Sequence, residues 1–402
     1  MSARALDRRV YLRSHPVLFA LLAALRGRPV RRLGGTLIVN DREALLSALT
    51  RIALDRTADG TTGGAVDRLA GAGGLFDQHG EAHRSGRREV ADRLGAAGVE
   101  RLRPVWTAVL SQRLAPLARG GEVDLVPVAM EVAGVTAAAL LDLRVDPMEL
   151  AEVARAAGAA AARAHLPGWG RRRAGARAEV AAARLVALCM TDAEMSYPGR
   201  IVAPPSDGVG TSRAGGLWTD DAEMSYPGRR FGPPTTGVGK SSGGLGAALA
   251  VAAVNTTVAA LPRAAAWMCG DRLWAYAQDP VLVDELLRVT SPTPLMPRVA
   301  AAGGELAGGC PVRAGDRMLL ITRHAVDAHR RDPDPVRPAP ARTAQLVFGA
   351  GPHACPGARL ARRQLGDLLA ALAPHRPVVV RARADRGSAL PGWRSLIIRA
   401  GE

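Results

Sequence analysis

Lysine is nearly missing from this chain: Lys240 is the single example among 53 basic residues, so almost all of the positive charge is arginine. Aromatic residues make up only 3%, too few for the stacking platforms that hold single-stranded nucleic acid. A net charge of +16 would otherwise point to an anionic polymer or surface. The arginines are spread over the whole chain, however, and the Ala, Gly and Arg bias resembles that of a GC-rich genome. No nucleic acid partner is expected. Cysteine is sparse and scattered: Cys189, Cys269, Cys310 and Cys355 contain no C-x-x-C pair, which excludes a disulfide framework and a structural zinc site and fits a reducing cytoplasm. Long apolar runs are missing too. Leu245 to Leu261 is 17 residues long and contains Asn255, Thr256 and Thr257, short of the ~20 residues a bilayer span needs. Pro16 to Leu25 leads into RGRPVRR with no small-residue cleavage site, so a short buried helix is expected there, not a signal peptide. No membrane association is expected.

What is present is a core-forming composition, 48% hydrophobic and 22% charged over 402 residues, enough for two or three domains or one large enzyme domain. Helical periodicity predicts helices over 15–26, Arg42 to Leu49, Glu81 to Ala118, Val126 to Leu141, Met148 to Ala164, Arg171 to Met190 and Pro356 to Leu372. Strands are predicted at RPVRRLGG, TLIV, Pro377 to Arg381 and Leu396 to Ile398. The expected class is mainly α with small sheets. Residues 191–244 stand apart, because DAEMSYPGR occurs at 192–200 and again at 221–229, an offset of 29 residues. Two copies are too few for a solenoid. The Pro, Gly and Ser content predicts a flexible surface insertion, a duplication that the fold tolerates.

The most specific stretch is FGAGPHACPGARLARRQL, Phe348 to Leu365. It fixes one cysteine between glycines just ahead of an amphipathic helix. A helix N-terminus favours a thiolate at Cys355, and Gly351 and Gly357 permit a tight turn and close approach of the backbone to a flat group. The pattern F-x-x-G-x-x-x-C-x-G, carried by Phe348, Gly351, Cys355 and Gly357, resembles the haem-binding signature of the cytochromes P-450. DELLR, Asp284 to Arg288, resembles that family's E-x-x-R helix. The resemblance implies a single mostly helical domain over 1–402 with small sheets, and a buried structural triad of Glu285, Arg288 and Arg337, the last in a meander that is short and has Pro338 where an aromatic is usual.

The same resemblance implies haem b (iron protoporphyrin IX) with Cys355 as its axial ligand, and His83, Arg87, Arg298 and His353 as partners of its propionates. AAVNTT, Ala252 to Thr257, matches the oxygen-activating segment through Thr256. It departs from the family at Ala253, where a glycine is usual, and at Asn255, where an acid is usual. An asparagine cannot titrate, so Asn255 is expected to hold water or a substrate group through its amide. Leu75, Phe76, Val254, Leu295, Met296, Leu396 and Ile397 occupy family pocket positions, which implies an apolar or amphipathic small-molecule substrate. Implied co-substrates and partners are O2 and a ferredoxin with its ferredoxin reductase and NAD(P)H, docked in part on Arg359, Arg362 and Arg363.

Overall fold

The computed structural model describes residues 2–55, 57–61, 64, 90, 92–165, 171–190 and 242–401. The expectations for Leu75, Phe76, His83 and Arg87, and for the repeat-bearing insertion up to residue 241, lie outside the described residues.

The chain opens on a helix that the periodicity reading missed, α1 (Ala3–Ser14), capped by the Ser2 hydroxyl accepting from the Ala5 N–H. Its buried stripe of Ala3, Leu6, Val10 and Tyr11 is interleaved with four arginines, which lower the apparent apolar content. Pro16 at the first position starts α2 (Pro16–Leu25), where a missing N–H costs nothing. The expected strand pair follows as β1 (Val30–Leu33) and β2 (Thr36–Val39), paired antiparallel from Val30 with Val39 to Leu33 with Thr36. Asp41 then caps α3 (Arg42–Thr50), its carboxylate accepting from the N–H groups of Glu43 and Ala44. A short β3 (Leu54–Asp55) closes this region.

Helices α4 (Ala96–Leu114), α5 (Leu125–Leu140), α6 (Pro147–His165) and α7 (Arg171–Leu188) come next, with β4 (Glu122–Asp124) ahead of α5. The long helix expected over Glu81 to Ala118 is interrupted at Gly95, the N-cap of α4, where the backbone is extended. Eleven of the sixteen residues of α5 are buried, so this helix is covered on nearly all sides. Against it and α6 lies α8 (Ser242–Asp271), a 30-residue helix. By length and composition α8 could cross a membrane, but 56% of its most apolar window is buried in the protein. Its start at Ser242 takes three residues from the predicted insertion.

Capped by Asp279 and started by Pro280, α9 (Pro280–Thr290) leads to β5 (Met296–Ala300), the hairpin β6 (Gly304–Leu306) and β7 (Cys310–Val312), and β8 (Arg317–Leu320). The main sheet has the order β1-β2-β8-β5-β3, with β2 and β8 parallel and its other neighbours antiparallel. After the cysteine loop come α10 (Ala358–Leu372) and the antiparallel pair β9 (Val378–Ala384) and β10 (Trp393–Arg399), which β4 joins in the second sheet. One core fills the space among α4 to α10 and β10, and a second lies under the main sheet.

Two polar clusters tie these parts together. Asp7 on α1 and Arg263 on α8 form a buried ion pair at 2.5 Å, with Arg323 at 3.2 Å on the other carboxylate oxygen. Tyr11 donates to the Thr290 carbonyl at 2.6 Å and lies beneath both guanidinium groups. In the second cluster, Asn40 Nδ2 donates to the carbonyls of Leu25 and Arg28, which leaves its Oδ1 to accept from His324 Nδ1 at 2.7 Å. Burial pushes the His324 imidazole down to about 3, helped by the neighbouring His329, Arg323 and Arg26.

A pH dependence follows. The unfolded chain protonates His324 near 6.5 and the folded chain does not. Stability is therefore full above pH 6.5 and falls as the pH drops toward 3, by at most about 1.4 kcal/mol per pH unit. His15 and His329 are lowered in the same direction, each mainly by burial, and ordinary carboxylates titrate lower, near 4. Urea midpoints are expected to fall between pH 7 and 5, with a smaller fall in His324→Gln.

Candidate active site

The cysteine loop hangs between two short helical turns, Leu346–Phe348 and Gly351–His353, and the N-terminus of α10. Two glycines shape it. Gly349 has φ 75° and Gly351 φ 70°, a region that costs a side-chain-bearing residue about 1–2 kcal/mol. A Cβ on Gly351 would also stand 3.1 Å from the Leu49 carbonyl oxygen, so the loop packs directly on the last turn of α3. The Cys355 N–H closes the loop by donating to the Phe348 carbonyl at 2.7 Å. Gly357 is the N-cap of α10 and offers no side-chain cap, so the first-turn N–H groups are not consumed by a capping side chain. An added Cβ there would lie 3.8 Å from the Cys355 sulfur.

Exposure separates the four thiols. Cys355 is exposed, Cys310 is half-buried, and Cys189 and Cys269 are buried. Burial pushes the Cys189 thiol up to about 11 and that of Cys269 up to about 12, so neither forms a thiolate near neutral pH. A single exposed sulfur, framed by glycines at a helix N-terminus, is the donor chemistry that a haem iron takes as a thiolate ligand. The residues present fit the group. Phe348 stacks under the Arg362 guanidinium at 4.7 Å and packs against the main core, fixing one wall of the loop. His353 falls in the Gly351–His353 turn, and Arg298 sits half-buried on β5 opposite Met318.

On α8 the two polar residues diverge. Thr256 Oγ1 donates to its own helix, to the Ala252 carbonyl at 2.8 Å. Asn255 Nδ2 donates to the Val251 carbonyl at 2.9 Å and across to the Ala154 carbonyl of α6 at 3.1 Å. Gly158 makes room for it: a Cβ there would stand 2.6 Å from Asn255 Nδ2. The amide NH2 is spent on protein carbonyls, as a clasp between two helices, which leaves its Oδ1 for the water or substrate group expected there. Asn255→Asp would turn carboxylate oxygens toward two carbonyls. It is expected to cost about 1–3 kcal/mol, read as a lower urea midpoint at pH 7, with Gly158→Ala lowering it as well. Unchanged stability in Asn255→Asp would refute the clasp.

The expected triad is corrected at its third member. Glu285 and Arg288 are 1% and 0% exposed and joined by two hydrogen bonds of 2.8 and 2.7 Å. Arg337 is 86% exposed, and among the described residues its side chain reaches only Asp334, at 3.3 Å. The meander turns that side chain outward. Its backbone takes over: the N–H groups of Asp334 and Ala339 donate to the Glu285 carboxylate at 3.1 and 3.0 Å. Arg288 in turn donates to the carbonyls of Val326, Arg331 and Asp332. Burial works to raise the Glu285 carboxyl, but Arg288 and the two N–H donors outweigh it and hold the group below the usual range.

Of the described pocket candidates, Leu295, Met296 and Ile397 are half-buried, whereas Val254 and Leu396 are fully buried in the main core. Arg359 is exposed, while Arg362 is held by Asp284 at 2.6 Å and Arg363 by Glu100 at 3.2 Å.

The architecture is a mainly helical domain with a small mixed sheet, an exposed cysteine loop ahead of its last long helix and a buried Glu-Arg pair. No family model matches the chain, and no curated protein matches it in sequence. Solved structures do. CYP109E1 from Bacillus megaterium in complex with testosterone superposes with a TM-score of 0.70 at 16% identity, covering 98% of this chain and 100% of that one. P450BioI in complex with a hexadec-9Z-enoic acid ligated acyl carrier protein gives 0.70 at 16% identity, over 97% and 100%. A mutant of P450 EryK in complex with erythromycin B gives 0.67 at 22%, over 97% and 98%. The chain has the cytochrome P450 fold.

Proposed function

We propose that this protein is a haem-thiolate monooxygenase that oxidises, most simply by hydroxylation, an apolar or amphipathic small molecule. One observation carries the reading: in a P450 fold, the one exposed cysteine sits on the glycine-framed loop ahead of α10. When bound, haem b supplies the one-electron and oxygen chemistry that no side chain provides. The chain's own contribution is to hold and shield. Cys355 offers the thiolate, the uncapped N-terminus of α10 favours its charge, and Arg298, His353, His83 and Arg87 are the candidates to pair with the propionates. Leu295, Met296 and Ile397, with Leu75 and Phe76, are the candidates to give the substrate an apolar wall. Thr256 is the hydroxyl nearest in role to a proton carrier on α8.

Electrons are assigned to a ferredoxin, with its reductase and NAD(P)H, meeting the basic surface at Arg359. The structural neighbours were solved with a steroid, a macrolide and a fatty acyl carrier protein, which supports a small organic substrate and a cytoplasmic, secondary-metabolic setting. A second reading, oxidative coupling or rearrangement, gains from Asn255: its NH2 group is committed to the fold, and its side chain cannot titrate. Substrate screening by the optical spin-state shift of the haem-loaded protein, followed by product mass analysis, tests both. A gain of one oxygen atom supports hydroxylation; turnover without it supports the second reading. Failure of the chain to take up haem at all would overturn both.

A further inference from the structure

A cavity of about 270 Å3 lies between α1, α2 and the turn after β8. None of its lining residues belongs to the cysteine loop or to α8. Its walls follow from helical spacing. Arg8 and Leu12 stand one turn apart on α1, while Phe19, Leu22 and Arg26 fall at i, i+3 and i+7 across α2 and its C-cap, on one stripe. Phe19, Leu22 and Ile321 are 8%, 3% and 1% exposed, whereas Leu12 is 38% exposed at the opening.

The charge around this apolar hollow is one-sided, for no carboxylate lines it. Two of its four arginines are already neutralised, Arg4 by Asp332 at 2.5 Å and Arg323 by Asp7 at 3.2 Å. Arg8 and Arg26 are exposed and form no ion pair among the described residues. The neighbouring cavity of about 400 Å3 differs, because Asp41, Glu43 and Asp327 line it and two of its arginines are paired with acids. Arg26 lines both cavities, but an apolar slot whose lining includes two arginines with no ion pair among the described residues has the complementarity of a ligand with one negative head and a hydrocarbon body.

We propose that this cavity is a second binding site, separate from the cysteine loop, for a small amphipathic anion. Its carboxylate or phosphate monoester head would be held by Arg8 and Arg26, and its short tail laid on Leu12, Phe19, Leu22 and Ile321. The volume lies just below the ~300–1,000 Å3 of drug-sized pockets, so the tail is short. The site does not depend on the proposed oxidation.

The test is calorimetric titration of the full, haem-loaded chain with octanoate, octyl phosphate, 1-octanol and inorganic phosphate, with the haem absorption spectrum recorded alongside. Octanoate or octyl phosphate is expected to bind one to one, and whichever is tighter identifies the head group. Octanol and inorganic phosphate are expected to bind at least about tenfold more weakly, each lacking one half of the ligand. Arg8→Gln and Arg26→Gln, both at exposed positions, are each expected to weaken the better anion about tenfold, the loss of one charge-assisted contact. Octanol binding as well as octanoate, unchanged affinity in both variants, or no anion binding would overturn the proposal. So would a haem spectral shift that tracks binding, since it would place the anion at the cysteine site.

Discussion

Cys355→Ala is expected to abolish the red-shifted absorption band of the reduced carbon monoxide complex, and Cys310→Ala to leave it intact. The contrast rests on where the sulfurs sit. Cys189 and Cys269 are sealed in the main core, and their thiols are pushed far above neutrality by burial. Cys310 is half-buried on β7, with its sulfur turned to the Pro311 carbonyl. Only Cys355 combines exposure with a helix N-terminus, where the dipole lowers a thiol's pKa. Alanine there removes the sulfur from an exposed position outside the main core. The protein is therefore expected to stay folded, with unchanged far-ultraviolet circular dichroism, and to lose the thiolate signature completely. Retention of the band in Cys355→Ala would overturn both the ligand assignment and the proposed function. Gly351→Ala offers a graded companion: its φ of 70° and the Leu49 carbonyl at 3.1 Å predict a strained loop, a loss of about 1–2 kcal/mol and weaker haem retention.

What could be read in advance was local. The cysteine loop, the Glu-Arg pair, most helices from Arg42 onward and the two strands after α10 all announce themselves through spacing within one element. The features that escaped need two distant segments at once. Asp7 and Arg263 look like ordinary surface charges in sequence, yet they meet in the core across 256 positions. Helix α1 was hidden by the arginines between its apolar residues. Asn255 could be seen to replace an acid, but its bond to Ala154 and its fit against Gly158 depend on how α6 crosses α8. Arg337 was placed inward by resemblance, and the short meander turned it out. The motif resemblance in the cysteine loop coexists with only 16–22% identity to the solved P450 structures, because packing conserves shape and periodicity more than residue identity.

Glu285→Ala is expected to destabilise the protein by about 3–5 kcal/mol, and Arg337→Ala by no more than about 0.5 kcal/mol. The first figure is the cost of leaving a buried charge without its partner; the second is that of an exposed substitution. The carboxylate accepts two N–H groups from Arg288 and one each from Asp334 and Ala339, so alanine orphans four donors at once. It also unpins the meander from α9, and the meander leads directly into the cysteine loop. Haem retention is therefore expected to fall along with the urea midpoint. Glu285→Gln separates charge from hydrogen bonding: its amide oxygen keeps some acceptor capacity, but its NH2 group faces the Arg288 guanidinium and cannot accept, so an intermediate loss is expected. Because the Glu285 carboxyl is held below its usual range, its contribution is full above about pH 4.5 and fades as the pH falls through the lowered folded value. The Glu285→Ala deficit should therefore shrink at acid pH. If Arg337→Ala were as damaging as Glu285→Ala at neutral pH, the exposed arginine would belong to the buried cluster after all, and the backbone N–H groups would not be what replaces it.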